Sequence, residues 1–423
     1  MCYWRGLPSF HWGLCTSCSC HMSNRKTRRT LQMLWTVKVD GGPKRVNHAA
    51  VGIGDKIYSF GGYCSGEIYD GSQPIDVHVL DTVTYRWKKV EVQNDESEQA
   101  AAAANSILSQ PSPFQRYGHT VVAYKGKAYL WGGRNDEFGA SSKLHEFDPV
   151  SRTWSVVSIN GPPPLARDGH SAVVIGDCMY MFGGFEEETQ RFSCETYFFN
   201  FKTRRWSELR THGAVPQWRD FHTACAIGEK MYVFGGRSDQ LGQFHSSRDV
   251  YCDKLRVLDT KTGRWEEPPV SGVRPCGRRS HSSWAYNGRI YIFGGYLGTE
   301  NKHFGDLWEY DPAKATWKLC WPEGERPCPR RRQCTVLIGS RLFLFGGTRP
   351  CKDVKHDPFH SGLADLSDLY VLDYAPSLKD LAAISIINSD LFMTKDCPLP
   401  VELQWDLLMM IKPNQITVPR HDG

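Results

Sequence analysis

The sequence predicts an all-β fold in which six four-stranded blades close into a propeller, followed by a short C-terminal helical tail. Three observations predict it. Segments 45–62, 116–133, 167–184, 219–236, 278–295 and 330–347 each open Arg-x-x-His and close Gly-Gly, with Gln333 replacing the His in the sixth. The first glycine falls 13 residues after the His or Gln every time. A second landmark follows in five units, an Asp or Asn with a Trp six residues on: Asp81/Trp87, Asp148/Trp154, Asn200/Trp206, Asp259/Trp265 and Asp311/Trp317.

Between His and Gly-Gly lie two apolar runs, such as Ala50-Val51-Gly52-Ile53 and Lys56-Ile57-Tyr58-Ser59-Phe60, joined by a short turn such as Gly54-Asp55 or Asn287-Gly288. Two such runs about a turn form a β-hairpin. The Asp/Trp pair marks a second hairpin, with the Asp at its turn and the Trp starting its last strand. The sixth unit reaches Asp373, but Tyr374-Ala375-Pro376 follows and no Trp comes six residues later. Leu34-Trp35-Thr36-Val37 resembles Trp206-Ser207-Glu208-Leu209. Trp35 is therefore expected to supply the outer strand of blade six, closing the ring without exposed edges. The expected divisions are an extension over 1–32, the propeller over 33–374, helices over 375–411 and a flexible terminus over 412–423.

Composition narrows the function. The chain has 423 residues, 40% of them apolar, and its 39 glycines and 14 tryptophans belong to the repeat. A net charge of +5 is too small to imply wholesale binding to nucleic acid or membrane. No apolar run approaches the roughly 20 residues of a membrane helix, and no secretory signal opens the chain. Fifteen cysteines without repeated spacing point to a reducing compartment, cytoplasm or nucleus. Cys15-x-x-Cys18-x-Cys20 lies beside His11 and His21, but no second ligand pair follows, so no metal site is expected. Residues 1–32 read as a disordered or misassigned extension, a transit peptide being the other reading. The insertion 93–109, with its alanine run and Asp95-Glu96, reads as a disordered loop.

Strands one and two of a blade run antiparallel, and strand one is innermost. Residues just before the His and just after Gly-Gly should therefore ring the mouth of the central channel. These include Arg134, Arg237, Arg279, Ser280, Arg331 and Arg332, the rings of Tyr63, Tyr117, Phe185, Phe221 and Tyr296, and the acids Asp168 and Asp220. Arginines among aromatic walls suit a peptide carboxylate. The acids suit a basic ligand side chain. The first Arg and the His of each unit recur around the ring, so they are read as structural. The spans from Gly235 to Asp259 and from Gly346 to Asp373 are longer than in other blades and leave from the same mouth, where binding loops gather.

The array is similar to kelch repeats over residues 33–374. The tail makes the resemblance more specific. A helix is expected from Ser377 as N-cap, with Leu378, Leu381 and Ile384 on one stripe, and a second over 399–408. Ser377-Leu378-x-x-x-Ala382-x-x-x-Ile386 resembles an elongin-binding box, with Ala382 replacing the usual Cys. Leu399-Pro400-x-x-Leu403-x-x-x-Leu407 resembles a cullin-2 box. Together these look like a substrate receptor of a cullin-2 ubiquitin ligase, which implies elongin B/C, cullin-2 and a RING-box protein as partners. The resemblance also implies recognition of glycine-ended C-terminal degrons. The carboxylate-binding set it implies is Arg237, Arg279, Ser280, Arg134 and Arg331. The side-chain pocket would hold Tyr63, Tyr117, Asp168, Asp220, Phe221 and Tyr296. Elongin and cullin contacts would come from Leu378, Ala382, Ile386, Leu399, Pro400, Leu403 and Leu407. Gly423 suggests that the chain's own terminus occupies a mouth as self-inhibition.

Other readings stay open. One is a chromatin-associated kelch scaffold, linked with meiotic recombination, without ligase function; another packs both tail helices under the propeller. A copper enzyme of the galactose oxidase kind would need clustered His, Tyr and Cys, whereas these histidines are spread one per blade. With no nucleophile–base pair or phosphate loop, a non-catalytic adaptor without cofactor or metal is expected.

Overall fold

The structure, a computed structural model, describes residues 33–64, 72–93, 111–351, 362–389 and 399–416. The N-terminal cysteines, most of the 93–109 insertion and Gly423 lie outside the described residues.

Six sheets carry the blades, each built on four antiparallel strands. Blade one holds Ala49–Ile53, Lys56–Phe60, Val77–Asp81 and Arg86–Lys89. The innermost strands of successive blades are neighbours, and Cys334–Ile338 of blade six returns to Ala49–Ile53. The closing strand is where the missing Trp placed it. Leu34–Val39 pairs antiparallel with Leu369–Asp373, setting Trp35 opposite Leu372.

Each landmark Trp cements its blade to the preceding one. The aromatic residue just before Gly-Gly meets the next blade's Trp: Trp154 meets Phe60 edge-on at 5.6 Å between centroids, and Trp265 meets Phe182 at 5.2 Å and Trp317 meets Phe234 at 5.4 Å, both tilted. Trp87 meets Phe345 of blade six at 4.9 Å, and Trp35 meets Phe293 of blade five at 6.3 Å. Burying such rings against each other stabilises the contact between blades. The landmark Asp or Asn organises the outer turn. Asp81 Oδ1 accepts from the amides of Val83 and Thr84, and Asn200 Oδ1 from those of Lys202 and Thr203. This is the local bonding that makes Asx residues favour turns.

The repeated Arg and His are structural, as the repetition implied. Arg116, Arg167, Arg219, Arg278 and Arg330 are fully buried, and Nη1 of each donates to the carbonyl of its blade's first Gly-Gly glycine at 2.8–3.4 Å. Three also pair with acids: Arg167 with Glu186, Arg278 with Asp306 and Arg330 with Asp368. The second glycine is obligatory. Gly133 sits at φ 77°, and an added Cβ would lie 2.6 Å from His119 Cβ. His170, His222 and His281 each hydrogen-bond the preceding blade through Nε2, to Thr120, Ser171 and Thr223 at 2.8 Å. Burial, then the neighbouring Arg278, lowers the His281 pKa to about 3, so that imidazole stays neutral and is a weak base.

The tail is partly integral to the ring. Ser377 caps the first helix, Leu378–Ile387, with a full capping box to Asp380. Its packing face differs from the expected stripe. Ala383, Ile384 and Ile387 meet the blade one/blade six core, while Leu378 is 86% exposed and Leu381 also faces solvent. The second helix runs Val401–Ile411, later than expected, and lies against the closing strand Leu34–Val39. Arg86 of blade one donates to the carbonyls of Met409 at 3.1 Å and Lys412 at 2.5 Å. Residues 412–416, expected as part of a flexible terminus, are instead seated on blade one. Asn414 Oδ1 accepts from Trp87 N at 2.9 Å, and Asn414 N donates to Asp40 O at 2.7 Å. No described helix is long and apolar enough to cross a membrane.

Candidate binding site at the channel mouth

The residue two before each His or Gln pairs, in every blade, with the residue after Gly-Gly. The pairs are Val46–Tyr63, Tyr117–Arg134, Asp168–Phe185, Asp220–Arg237, Arg279–Tyr296 and Arg331–Thr348. This antiparallel register brings the expected mouth residues together.

The residue immediately before the His or Gln closes the throat. Asn47, Gly118, Gly169, Phe221, Ser280 and Arg332 all have positive φ. Their amides and carbonyls bond head to tail around the axis, Gly118 N to Asn47 O, Gly169 N to Gly118 O, and so on to Asn47 N on Arg332 O, at 2.7–3.3 Å. This ring, the repeat histidines and Gln333 line a cavity of ≈ 120 Å³. It has room for a few waters and none for a peptide, so the channel itself does not take one.

Charge is unevenly divided there. On blades two to four, acids and arginines are matched. Arg237 Nε and Nη2 donate to the two Asp220 oxygens at 3.1 and 2.5 Å, a bidentate pair with Asp220 only 1% exposed. Burial opposes the Arg237 charge, but the Asp220 carboxylate holds its pKa above the ordinary value. Sequence reasoning had placed these two residues in separate roles. Arg134 Nη2 lies 3.7 Å from both Asp136 Oδ1 and Glu187 Oε1. Asp168 differs: it is 7% exposed and has no side-chain hydrogen bond among the described residues. Burial, and then the nearby Asp220 carboxylate, raise its pKa to about 7.

Blades five, six and one carry Arg279, Arg331 and Arg332 with aromatic neighbours. Arg331 stands 4.1 Å from the Tyr296 centroid, and Arg332 Nη1 donates to Tyr63 Oη at 2.5 Å. Tyr63 in turn meets Tyr117 edge-on at 5.4 Å. Tyr251 and His303 also belong here and were missed, although each lies directly across a hairpin, from Arg237 and Tyr296 respectively. Counting back along the two hairpins would have found them.

The tail motifs form a second surface. Leu378, Ala382, Pro400 and Leu403 are exposed, and Ile386 and Leu399 partly so. Lys379 and Asp406 link the two helices at 2.6 Å. Leu407 is a correction. At 3% exposure it is buried and cannot be a partner contact. Among the described residues no cluster of His, Cys, Asp and Glu could hold a metal ion.

Comparison with known proteins agrees with this architecture. Residues 118–347 match the KLHDC2/KLHL20/DRC7 Kelch-repeats domain, and residues 44–93 match the Kelch motif. Kelch domain-containing protein 3 of Homo sapiens is 45% identical over 388 residues, covering 91% of this chain and 98% of the human protein. Its Bos taurus counterpart is 45% identical over 386 residues, with the same two coverages. Host cell factor of Drosophila melanogaster is 29% identical over 292 residues, covering 65% of this chain and 18% of the fly protein.

Proposed function

The chain belongs to the kelch-repeat family, as a relative of Kelch domain-containing protein 3, and on that premise we propose that it is a non-catalytic receptor for protein C-termini. The mouth holds a glycine-ended C-terminal peptide. The exposed tail motifs recruit elongin B/C and cullin-2 with a RING-box protein, so that the bound protein is ubiquitinated and degraded, in cytoplasm and nucleus.

One observation carries the reading. The mouth combines guanidinium groups without acid partners among the described residues, aromatic walls, and one buried carboxyl, Asp168, that no described side chain satisfies. A terminal carboxylate answers the first, and a glycine end lets it approach a crowded ring. An Arg or Lys before the final glycine would bring a cation to Asp168.

Peptides ending Arg-Gly or Lys-Gly are therefore expected to lead a C-terminal library screened against the full chain. Amidating the terminus removes a charge-assisted bond of about 1.5–3 kcal/mol, so affinity should fall by roughly 10- to 150-fold. Tolerance of amidation would refute the carboxylate clamp. Failure of the intact chain to co-purify with elongin B/C and cullin-2 would remove the ligase half of the reading alone.

A further inference from the structure

Arg237 follows Gly-Gly at the place where the family resemblance puts a carboxylate-binding arginine. Its fork is already closed on Asp220, with Nε and Nη2 both engaged. A ligand carboxylate would have to displace a buried acid, which would then lie unpaired.

Blades five, six and one present the opposite situation. Arg279, Arg331 and Arg332 make no ion pair among the described residues. Rings hold them instead: Arg331 and Arg279 lie 4.1 and 5.6 Å from Tyr296, and Arg279 lies 5.9 Å from Tyr251. Buried donors are left over. Arg331 Nε and both ring nitrogens of His303 have no hydrogen-bond partner among the described residues; across the mouth Arg134 Nε has none either, but its Nη2 lies 3.7 Å from two carboxylates. Buried polar atoms without partners are rare in folded proteins and mark the place of a missing ligand or water. Burial, then Arg332 and Arg279, lower the Arg331 pKa to about 10, as expected for like charges gathered without a counter-ion.

Arg332 sits at φ 64°, and the equivalent residue of every blade lies near this value, Gly118 and Gly169 in blades two and three and Asn47, Phe221 and Ser280 in blades one, four and five. A left-handed backbone is unfavourable for a residue with a Cβ.

We propose that the terminal carboxylate of the ligand seats on Arg331 and Arg332, flanked by Arg279, and that Arg237 is a scaffold residue that holds Asp220. This rests on the receptor reading above and relocates its anion subsite from blade four to blades five, six and one. Arg332 thereby becomes a binding residue although it stands outside the carboxylate set that the resemblance implies.

The experiment uses the full chain and two fluorescent peptides ending Arg-Gly, one with a free carboxylate and one amidated. The readout is the ratio of their affinities. Arg332→Gly is the cleaner variant, since glycine relieves the left-handed backbone and the fold should be kept; Arg331→Gln is the second. Both are expected to collapse the ratio by on the order of tenfold or more. Arg237→Gln is expected to weaken both peptides alike through the released Asp220, and to keep the ratio. Retention of the ratio in either Arg332→Gly or Arg331→Gln, or its collapse in Arg237→Gln, overturns the proposal. Equal binding of the two peptides by the unmodified chain overturns the receptor reading itself, so the two failures are distinguishable.

Discussion

Replacing Asp168 by Asn should stabilise the propeller at neutral pH and lose that advantage in acid. The carboxyl is buried beside Asp220, Arg134, Arg237 and Glu187, and burial followed by Asp220 raises its pKa to about 7. In the unfolded chain the same group titrates near 3.9. The native chain therefore binds more protons than the unfolded chain between about pH 4 and pH 7, and stability falls as pH rises through that window. At about 1.4 kcal/mol per unit, the penalty has an upper bound of about 4 kcal/mol, complete above about pH 7 and absent below about pH 4. The Asn amide is itself left without a partner, at about 1–3 kcal/mol, but that cost does not vary with pH. The variant-minus-parent unfolding free energy should thus rise by about 2–4 kcal/mol from about pH 4 to about pH 8. Urea titrations followed by tryptophan fluorescence across that range measure it. A difference that stays flat with pH would refute the claim that Asp168 is held buried and uncompensated. Asp168→Asn should also weaken peptides with a penultimate Arg while sparing those with a penultimate Ala, which ties the strain to its use.

Two further outcomes follow from packing. Trp35→Ala should cost about 3–5 kcal/mol in urea unfolding because it empties the blade five/blade six contact, whereas Trp405→Ala, on an exposed helix face, should change stability by less than about 0.5 kcal/mol. Leu378→Asp and Leu403→Asp should abolish co-purification with elongin B/C and cullin-2 at unchanged melting temperature, while Leu407→Asp should lower the melting temperature itself, since it buries a charge.

Much of the fold could be read before any coordinate, for a physical reason. A hairpin of constant length must repeat the His-to-Gly-Gly interval, and six copies of one interval leave little room for coincidence. Closure was legible because Asp373 has no Trp after it and Trp35 has no Asp before it. The mouth was legible because antiparallel pairing fixes which residues face each other. Which of its charges neutralise one another was harder to see, although Asp220 and Arg237 are cross-strand neighbours and that adjacency favours an ion pair. Periodicity failed at the first tail helix. Its sequence is apolar nearly all round, from Leu378 and Leu381 through Ile384, Ile386 and Ile387, so no single stripe could be selected. The second tail helix lies against the closing strand, hundreds of residues away, a contact that no local pattern encodes.

The closing strand also sets a timetable for synthesis. Leu34–Val39 is made before all six repeats, yet its partner Leu369–Asp373 is the last blade strand to emerge. At about 5–20 residues per second, a ribosome takes roughly 20–70 s to span that interval. Throughout it, an apolar edge that includes Trp35 waits unpaired, while the inner blades can already form from neighbouring hairpins. Ring closure is then a late, long-range event with a high entropic cost, in contrast to the local steps before it. Nascent chains should be most vulnerable to aggregation, and most dependent on chaperones, in the interval before residue 373 clears the tunnel.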